Sequence, residues 1–291
     1  MGLKDELRDT IPPPALRRLS DHFNVIGNIA VLSVPPELSL YAPTIARTII
    51  SRHHNIRTVL NKTSPVNGCN RTACFEIILG TDTITTHHEY GFTYRLDVVT
   101  VFFDPRLAHE RKRVIDQVRA GERVLVPFCG VGPYVIPSAA HGAGITAIEQ
   151  NQEACRWLSE NVLLNGVSDQ VTTIMGDAFD VSPLHDLTYD RAIIPTPYGM
   201  DAIFDRIISK VKPRGMIHFY TFKNQAQAKD LVTEFEQKGY EVVFYRRCGN
   251  VAPSVSRWVY DVRVTGTVPR QMFPKKIPNQ EDLAFVNPNV S

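Results

Sequence analysis

Two acidic residues and a glycine turn carry the first chemical signal in this chain. The turn is Val126-Pro-Phe-Cys-Gly-Val-Gly-Pro-Tyr134, where Gly130 and Gly132 lack the Cβ that would hold a ligand away from the backbone. Glu149 closes the next apolar run, where a carboxylate can accept both hydroxyls of a ribose. Asp177, in Gly176-Asp-Ala178, follows the run after that and is placed to accept from an adenine amino group. Each acid alone reads equally well as a solvated loop carboxylate or a helix cap, and the glycine pair alone as a plain tight turn. Their order along successive strands points to a nucleoside site. A dinucleotide would need a third glycine and helix-terminal amides open to its pyrophosphate. Here Pro133 removes one amide donor, the third glycine is missing, and there is no Walker lysine. S-adenosylmethionine, which has no phosphate and uses both acids, fits these residues better. Its expected contacts are Phe128, Cys129, Gly130, Gly132, Tyr134, Glu149, Asp177, Ala178 and Pro195.

For the turn and the acids to converge, their strands must end on the same side of a parallel sheet. The chain beyond residue 115 has that pattern. Short apolar runs at 124–126, 144–148, 171–174, 191–194 and 215–220 alternate with helical stretches at 152–165, 204–211 and 225–238. Runs at 242–245 and 257–263 are expected to close the series as an antiparallel pair. Upstream, β-like runs at 29–34, 75–79 and 94–103 are mixed with helices at 41–53 and 107–120. Residues 83–89 alternate like a strand, and His88-Glu-Tyr-Gly91 reads as a hairpin tip. The fold class is therefore α/β: a Rossmann-like, mostly parallel sheet with an antiparallel C-terminal strand, preceded by a small α+β domain. The expected division is 1–115 for the small domain, 116–268 for the cofactor domain, and a partly disordered tail over 269–291, rich in Pro, Asn, Lys and Gln.

Composition excludes several classes. The 291 residues are 43% hydrophobic and contain no run of about 18 apolar residues, so no membrane span is expected. The N-terminus is charged and has no apolar secretory core, which points to the cytoplasm. The five cysteines, Cys69, Cys74, Cys129, Cys155 and Cys248, form no CxxC pair, which argues against a disulfide framework and against bound metal. The formal charge of +2 says nothing about partners, yet residues 1–113 hold 14 Lys and Arg against 11 Asp and Glu. Arg106, Arg111, Lys112 and Arg113 cluster there, as phosphate contacts or as a solvated helix face. Arg246 and Arg247 could extend that patch.

Several motifs together resemble the archaeal–eukaryotic family that modifies guanosine 37 of tRNA. They are Phe128-Cys-Gly-Val-Gly-Pro-Tyr134, Glu149 through Asn161 to Asn165-Gly166, residues 215–220 and residues 251–264. Upstream the likeness continues through Ile26-Gly-Asn-Ile29, Pro36-Glu-Leu38, Arg71, residues 75–80, Thr86-His-His-Glu-Tyr-Gly91 and Pro105-Arg-Leu-Ala-His-Glu-Arg111, so it covers about residues 15–265. The family contains tRNA (guanine-37 N1)-methyltransferases and wybutosine-pathway aminocarboxypropyltransferases. The resemblance implies a class I methyltransferase domain, S-adenosylmethionine and an anticodon stem-loop partner. It carries a general base onto Glu110 and an oxygen-stabilising arginine onto Arg71. Arg106, Arg111, Pro197 and Tyr198 are the expected substrate contacts.

Two positions depart from the family pattern. Pro127 stands where an acid normally ends the first strand, and Pro195-Thr-Pro197 replaces the Asn-Leu-Pro of the methylating branch, keeping only Pro197. Methyl transfer to N1 of guanosine 37, or to a related anticodon-loop position, is the leading expectation. Gly-Val-Gly-Pro-Tyr and Pro-Arg-Leu-x-x-Glu-Arg favour it. The chain has no room for the extra tRNA-gripping domain of methylating members, which favours aminocarboxypropyl transfer to a wyosine-type base. Pro127 and Pro195 motivate a third reading, a non-catalytic RNA-binding paralogue.

Overall fold

A computed structural model describes residues 2–64, 73–252 and 254–265. Arg71 and the 269–291 tail lie outside the described residues.

Two one-turn helices open the chain, α1 (Leu3–Leu7) and α2 (Pro13–Leu16). They are too short to leave a periodic signal in the sequence. Strands β1 (Asn24–Ile26) and β2 (Ile29–Leu32) pair antiparallel, and helix α3 (Ala42–Arg52) crosses over to β3 (Thr58–Lys62), which lies parallel to β2. Strand β4 (Phe75–Leu79) completes a sheet ordered β1-β2-β3-β4. Ile45, Ala46 and Ile49 lie on one face of α3 and pack with Leu3, Leu7, Leu38 and Val59 over this sheet.

A hairpin follows, β5 (Ile84–Glu89) and β6 (Phe92–Asp97). Its tip is Tyr90-Gly91, with φ of 50° and 87°, the two left-handed positions that a two-residue turn needs to match strand twist. The strand does not continue to 103 as its composition suggests. Asp97 ends it: the carboxylate takes the Val99 N–H, and the carbonyl takes those of Thr100 and Val101. Helix α4 (Ala108–Ile115) is also shorter than the expected 107–120. Its entry is a tight turn capped by Asp104, and beyond Ile115 the backbone bonds shorten to a three-residue span before Gly121.

The large sheet comprises β7 (Arg123–Pro127), β8 (Gly144–Glu149), β9 (Val171–Met175), β10 (Tyr189–Ile194), β11 (Val211–Lys223), β12 (Glu241–Ala252) and β13 (Val255–Arg263). Its order is β12-β13-β11-β10-β7-β8-β9, parallel from β9 through to β11 and antiparallel at β13. Helices α5 (Val135–Ala140), α6 (Gln152–Leu164), α7 (Ile203–Ile207) and α8 (Gln225–Gln237) make the connections. Helix α7 stops short of 211 because its last turn tightens to a 3-10 turn and β11 begins at Val211. The chain leaves β7 to one side for β8 and returns on the other for β10. That reversal opens a crevice at the strand ends, where ligands of such sheets bind. Among the described residues no helix is long and apolar enough to cross a membrane.

The small sheet is joined to the large one through shared core. Ile29, Val31 and Leu60 pack in one cluster with Tyr94, Leu96, Val124, Val126 and Trp157. The hairpin is pinned to α6 by two amides. Asn161 and Asn165 each accept a β6 backbone N–H, from Arg95 at 2.7 Å and Thr93 at 2.9 Å, and each donates back to the same residue's carbonyl.

Candidate active site

The turn after β7 holds three left-handed residues: Phe128 at φ 55°, Gly130 at 57° and Gly132 at 95°. The glycines serve different ends. A Cβ on Gly132 would sit 2.6 Å from Leu158 Cδ1, so this residue lets the turn press onto α6. A Cβ on Gly130 would meet nothing nearer than Phe102 O at 4.0 Å, and would instead fill the crevice. Gly130 N donates to Glu149 Oε2 at 2.8 Å, while Oε1 accepts from Gln150 N and Asn151 N, both at 2.9 Å. Three of the carboxylate's roughly four acceptor positions are thus taken, with one to spare on Oε2. The glycine turn and Glu149 are one hydrogen-bonded unit.

Together they line a cleft that opens to solvent. Its apolar walls are Phe102, Phe103, Phe128, Tyr134 and Pro195. Its polar lining includes Asp104, Arg111, Asn151, Thr196 and Arg257. Pro133 is in the lining and offers no amide. The two cations are already committed to acids, which makes this a poor cradle for a pyrophosphate. Arg111 is 3% exposed and forks onto Glu89, with a third bond to Asp104 O. Arg257 lies 3.7 Å from Asp104, which also takes the Nε and Nη2 of Arg106. Burial pushes the Asp104 carboxyl up, but Arg106 and Arg257 outweigh it and hold it below the usual range.

Glu110 is close to this cleft without lining it. It lies in the first turn of α4, 3% exposed, so it is not the solvated helix carboxylate that its neighbours in sequence suggest. Tyr220 OH donates to Oε1 at 3.0 Å, and Tyr220 lines the cleft, its ring 5.8 Å from that of Tyr134. Arg113 Nη2 reaches Oε1 at 2.8 Å, and Arg246 Nη2 reaches Oε2 at 2.6 Å. Burial drives the Tyr220 phenol far above its ordinary range, so it stays a proton-bearing donor.

The expected basic cluster dissolves on inspection. Arg111 is buried on Glu89, Arg113 on Glu110 and Asp261, and Lys112 pairs with Asp116. All four cations are paired with an acid of the fold, Arg106 with Asp104. Arg106 and Lys112, with side chains 64% and 46% exposed, still present charge to solvent, whereas Arg111 and Arg113 do so little. Other expected contacts lie apart from the cleft lining. Asp177 is exposed and spends Oδ1 on Phe179 N at 3.0 Å; Ala178 is buried beside it. Phe179 meets Phe128 edge-on, which carries this segment to the rim of the cleft. Pro197 is buried, while Tyr198 is 70% exposed and packs against Phe222 at 5.5 Å.

Tyr220, Thr196, Arg257 and Asn161 fall inside motifs named from the sequence without a site role, and Phe102 and Asp104 fall outside them. Asp104 and Phe102 adjoin the Pro105-Arg106 motif and were within sight. Arg257 and Tyr220 sit in long strands whose register no local pattern reveals.

Residues 85–243 match the TRM5/TYW2 methyltransferase domain, and residues 3–83 match the TYW2 N-terminal domain. This chain belongs to the TRM5/TYW2 family. It is 35% identical to the tRNA (guanine(37)-N(1))-methyltransferase Trm5b of Pyrococcus abyssi, over 87% of this chain and 78% of that one. It is 28% identical to the tRNA(Phe) (4-demethylwyosine(37)-C(7)) aminocarboxypropyltransferase of Pyrococcus horikoshii, over 90% of this chain and 98% of that one. A solved complex of aTrm5 and tRNALeu aligns with a TM-score of 0.82 at 26% identity, covering 91% of this chain and 78% of that one. The fold is that of class I methyltransferases, as the strand order requires, and TRM5/TYW2 members are S-adenosylmethionine-dependent transferases.

Proposed function

We propose that the chain is an S-adenosylmethionine-dependent tRNA methyltransferase acting on N1 of guanosine 37 or a closely placed anticodon-loop base. One observation carries this reading: the cleft lined by Gly130 and Glu149 is separated from a buried carboxylate, Glu110, by a single phenol, Tyr220. The tRNA partner and the N1 position come from the relatives named above.

The residues present fit the cofactor. Glu149 would take the ribose, Gly130 admits close approach, Phe128 and Pro195 flank the nucleoside, and Asp177 and Ala178 extend the rim. S-adenosylmethionine, when bound, supplies an electrophilic methyl carbon on a sulfonium sulfur. Cys129 packs in the core beneath the turn and also lines the cleft, so it would contact the cofactor as well as support the turn.

N1 of guanine carries a proton that must leave as the N–C bond forms. Glu110 is the base proposed to take it. Arg113 and Tyr220 orient the carboxylate, and burial keeps water from competing for the proton. Arg71 remains the proposed partner of guanine O6, and Arg106 and Tyr198 the proposed RNA contacts. Arg111 is better read as the strut that ties α4 to β5 through Glu89.

A second reading has its own support. The match of residues 3–83 to the TYW2 N-terminal domain, with Pro195 in place of an asparagine, favours aminocarboxypropyl transfer. Incubation with unmodified tRNA and, in parallel, with tRNA carrying a wyosine-type base at position 37, each with S-adenosylmethionine labelled in both the methyl and the aminocarboxypropyl groups, separates the readings. Nucleoside mass spectrometry is expected to show the methyl label on guanosine. Aminocarboxypropyl label with release of methylthioadenosine would replace the first reading by the second, and no labelled nucleoside would leave neither.

A further inference from the structure

Glu110 accepts from five donor groups: Arg113 Nε, shared between both oxygens at 3.1 Å, Arg113 Nη2, Tyr220 OH, and Arg246 Nε and Nη2, which reach Oε2 at 3.2 and 2.6 Å. A carboxylate offers about four acceptor positions. In this arrangement Glu110 therefore has no lone pair for a substrate proton, and one donor must leave before it can act.

The three donor residues differ in how firmly they are held. Arg113 is fixed from behind by Asp261, through Nη1 at 2.6 Å and Nη2 at 3.0 Å, and lies 4.4 Å from the Phe244 ring centroid. Tyr220 is 2% exposed in the core. Arg246 stands on β12, the edge strand, with its side chain 46% exposed while Glu110's is 4% exposed. Only Arg246 can swing away without stranding its own charge in the interior, since its head already meets water. A guanidinium fork on a carboxylate has one ready competitor of the same geometry, a phosphate. Exposed Arg247 follows it in the strand.

We propose that Arg246 is a substrate-released latch on Glu110. A phosphodiester of the bound RNA takes the guanidinium, and the position vacated on Oε2 becomes the one that accepts the proton. Arg246 is thus a positioning residue that keeps the base occupied until RNA is seated. The proposal rests on the reading of RNA as substrate and of Glu110 as base.

Arginine Nε–H NMR on the intact protein tests it, with Arg246→Lys identifying the signal and an anticodon stem-loop transcript bearing guanosine as the RNA. The Arg246 resonance is expected to move on RNA addition and to stay in place with cofactor alone. A resonance unmoved by saturating RNA overturns the latch. Binding gives a second test. Glu110→Gln removes the anion that RNA must displace, so it is expected to bind the stem-loop at least threefold more tightly than wild type. Arg246→Ala is expected to reduce the salt slope of binding by about one. Equal affinity of Glu110→Gln and wild type, or an unchanged slope, overturns the proposal. Full turnover by Glu110→Gln removes the base assignment, which is distinct from a Glu110→Gln enzyme that is inactive yet binds no tighter. A stem-loop that does not bind overturns both.

Discussion

Asn161 Nδ2 donates to Val131 O at 3.2 Å, and the same amide holds both backbone groups of Arg95. One fully buried side chain on α6 thus ties the cofactor turn to the hairpin. Asn161→Ala leaves three backbone groups unpaired: the buried Val131 carbonyl, which costs about 1–3 kcal/mol, and the two groups of exposed Arg95, which water can partly satisfy. The variant is expected to lose about 2–4 kcal/mol in urea unfolding and to bind S-adenosylmethionine more weakly by calorimetry. Asn161→Asp, which faces two carbonyls with no donor, is expected to be at least as damaging.

Gly130 and Gly132 separate stability from binding. Alanine at 132 meets Leu158 Cδ1 at 2.6 Å and keeps a positive φ, so overpacking and backbone strain add. A loss of about 1–3 kcal/mol is expected, seen as a fall of several degrees in Tm. Alanine at 130 carries only the φ strain within the fold but puts its methyl into the cleft. It is expected to cost roughly 1 kcal/mol in stability and to weaken cofactor binding markedly. Equal effects of the two substitutions on cofactor affinity would contradict this division.

Much of the architecture was legible because its signals are local. The glycine turn, Glu149 at a strand end and the Tyr90-Gly91 tip each express a backbone requirement within a few residues. The alternation of strands and helices fixed the parallel sheet in the same way. The charged residues were harder to place. Arg106, Arg111, Lys112 and Arg113 look alike on paper, and only tertiary partners distinguish them: Glu89 comes from 22 residues away and Asp261 from 148. The occupancy of Glu110 by Arg246, 136 residues downstream, is invisible for the same reason.

Glu149 closes the turn through Gly130, and the proposed cofactor site asks the same carboxylate to present an acceptor to a ribose. Glu149→Gln keeps the size but has only one acceptor oxygen, which the turn amides already claim. Hydrogen bonds to charged groups contribute about 1.5–3 kcal/mol each. Cofactor affinity is therefore expected to fall by at least tenfold in calorimetry. Folding is expected to lose about 1–3 kcal/mol as well, since the amide oxygen can serve either Gly130 N or the following N–H groups while its NH2 faces the other as donor against donor. A variant with wild-type affinity would move the ribose elsewhere.

A buried polar chain behind the site makes stability depend on pH. His218, fully buried, lies between Arg191 Nη1 at 2.6 Å and Asp261 Oδ1 at 2.7 Å. Arginine can only donate, so Nε2 accepts and the proton sits on Nδ1, directed at Asp261. Burial, helped by Arg191 and Arg113, depresses the imidazole below 6.5 against the pull of Asp261. Asp261 itself is pushed up by burial, but the bonds from His218 and Arg113 hold it well below the carboxylate range. On acidification the unfolded chain protonates this histidine near 6.5 while the folded chain does not, so stability is full above that pH and declines below it. One such group contributes up to about 1.4 kcal/mol per pH unit. Asp261 adds its own loss only at lower pH, once unfolded aspartates begin to protonate near 4. Glutamine at 218 can donate to Asp261 and accept from Arg191 without titrating. His218→Gln is expected to be somewhat less stable at pH 8 yet to show a shallower decline between pH 6.5 and 5. Urea unfolding of both proteins across that range checks this, and parallel pH curves would show that His218 is protonated in the fold.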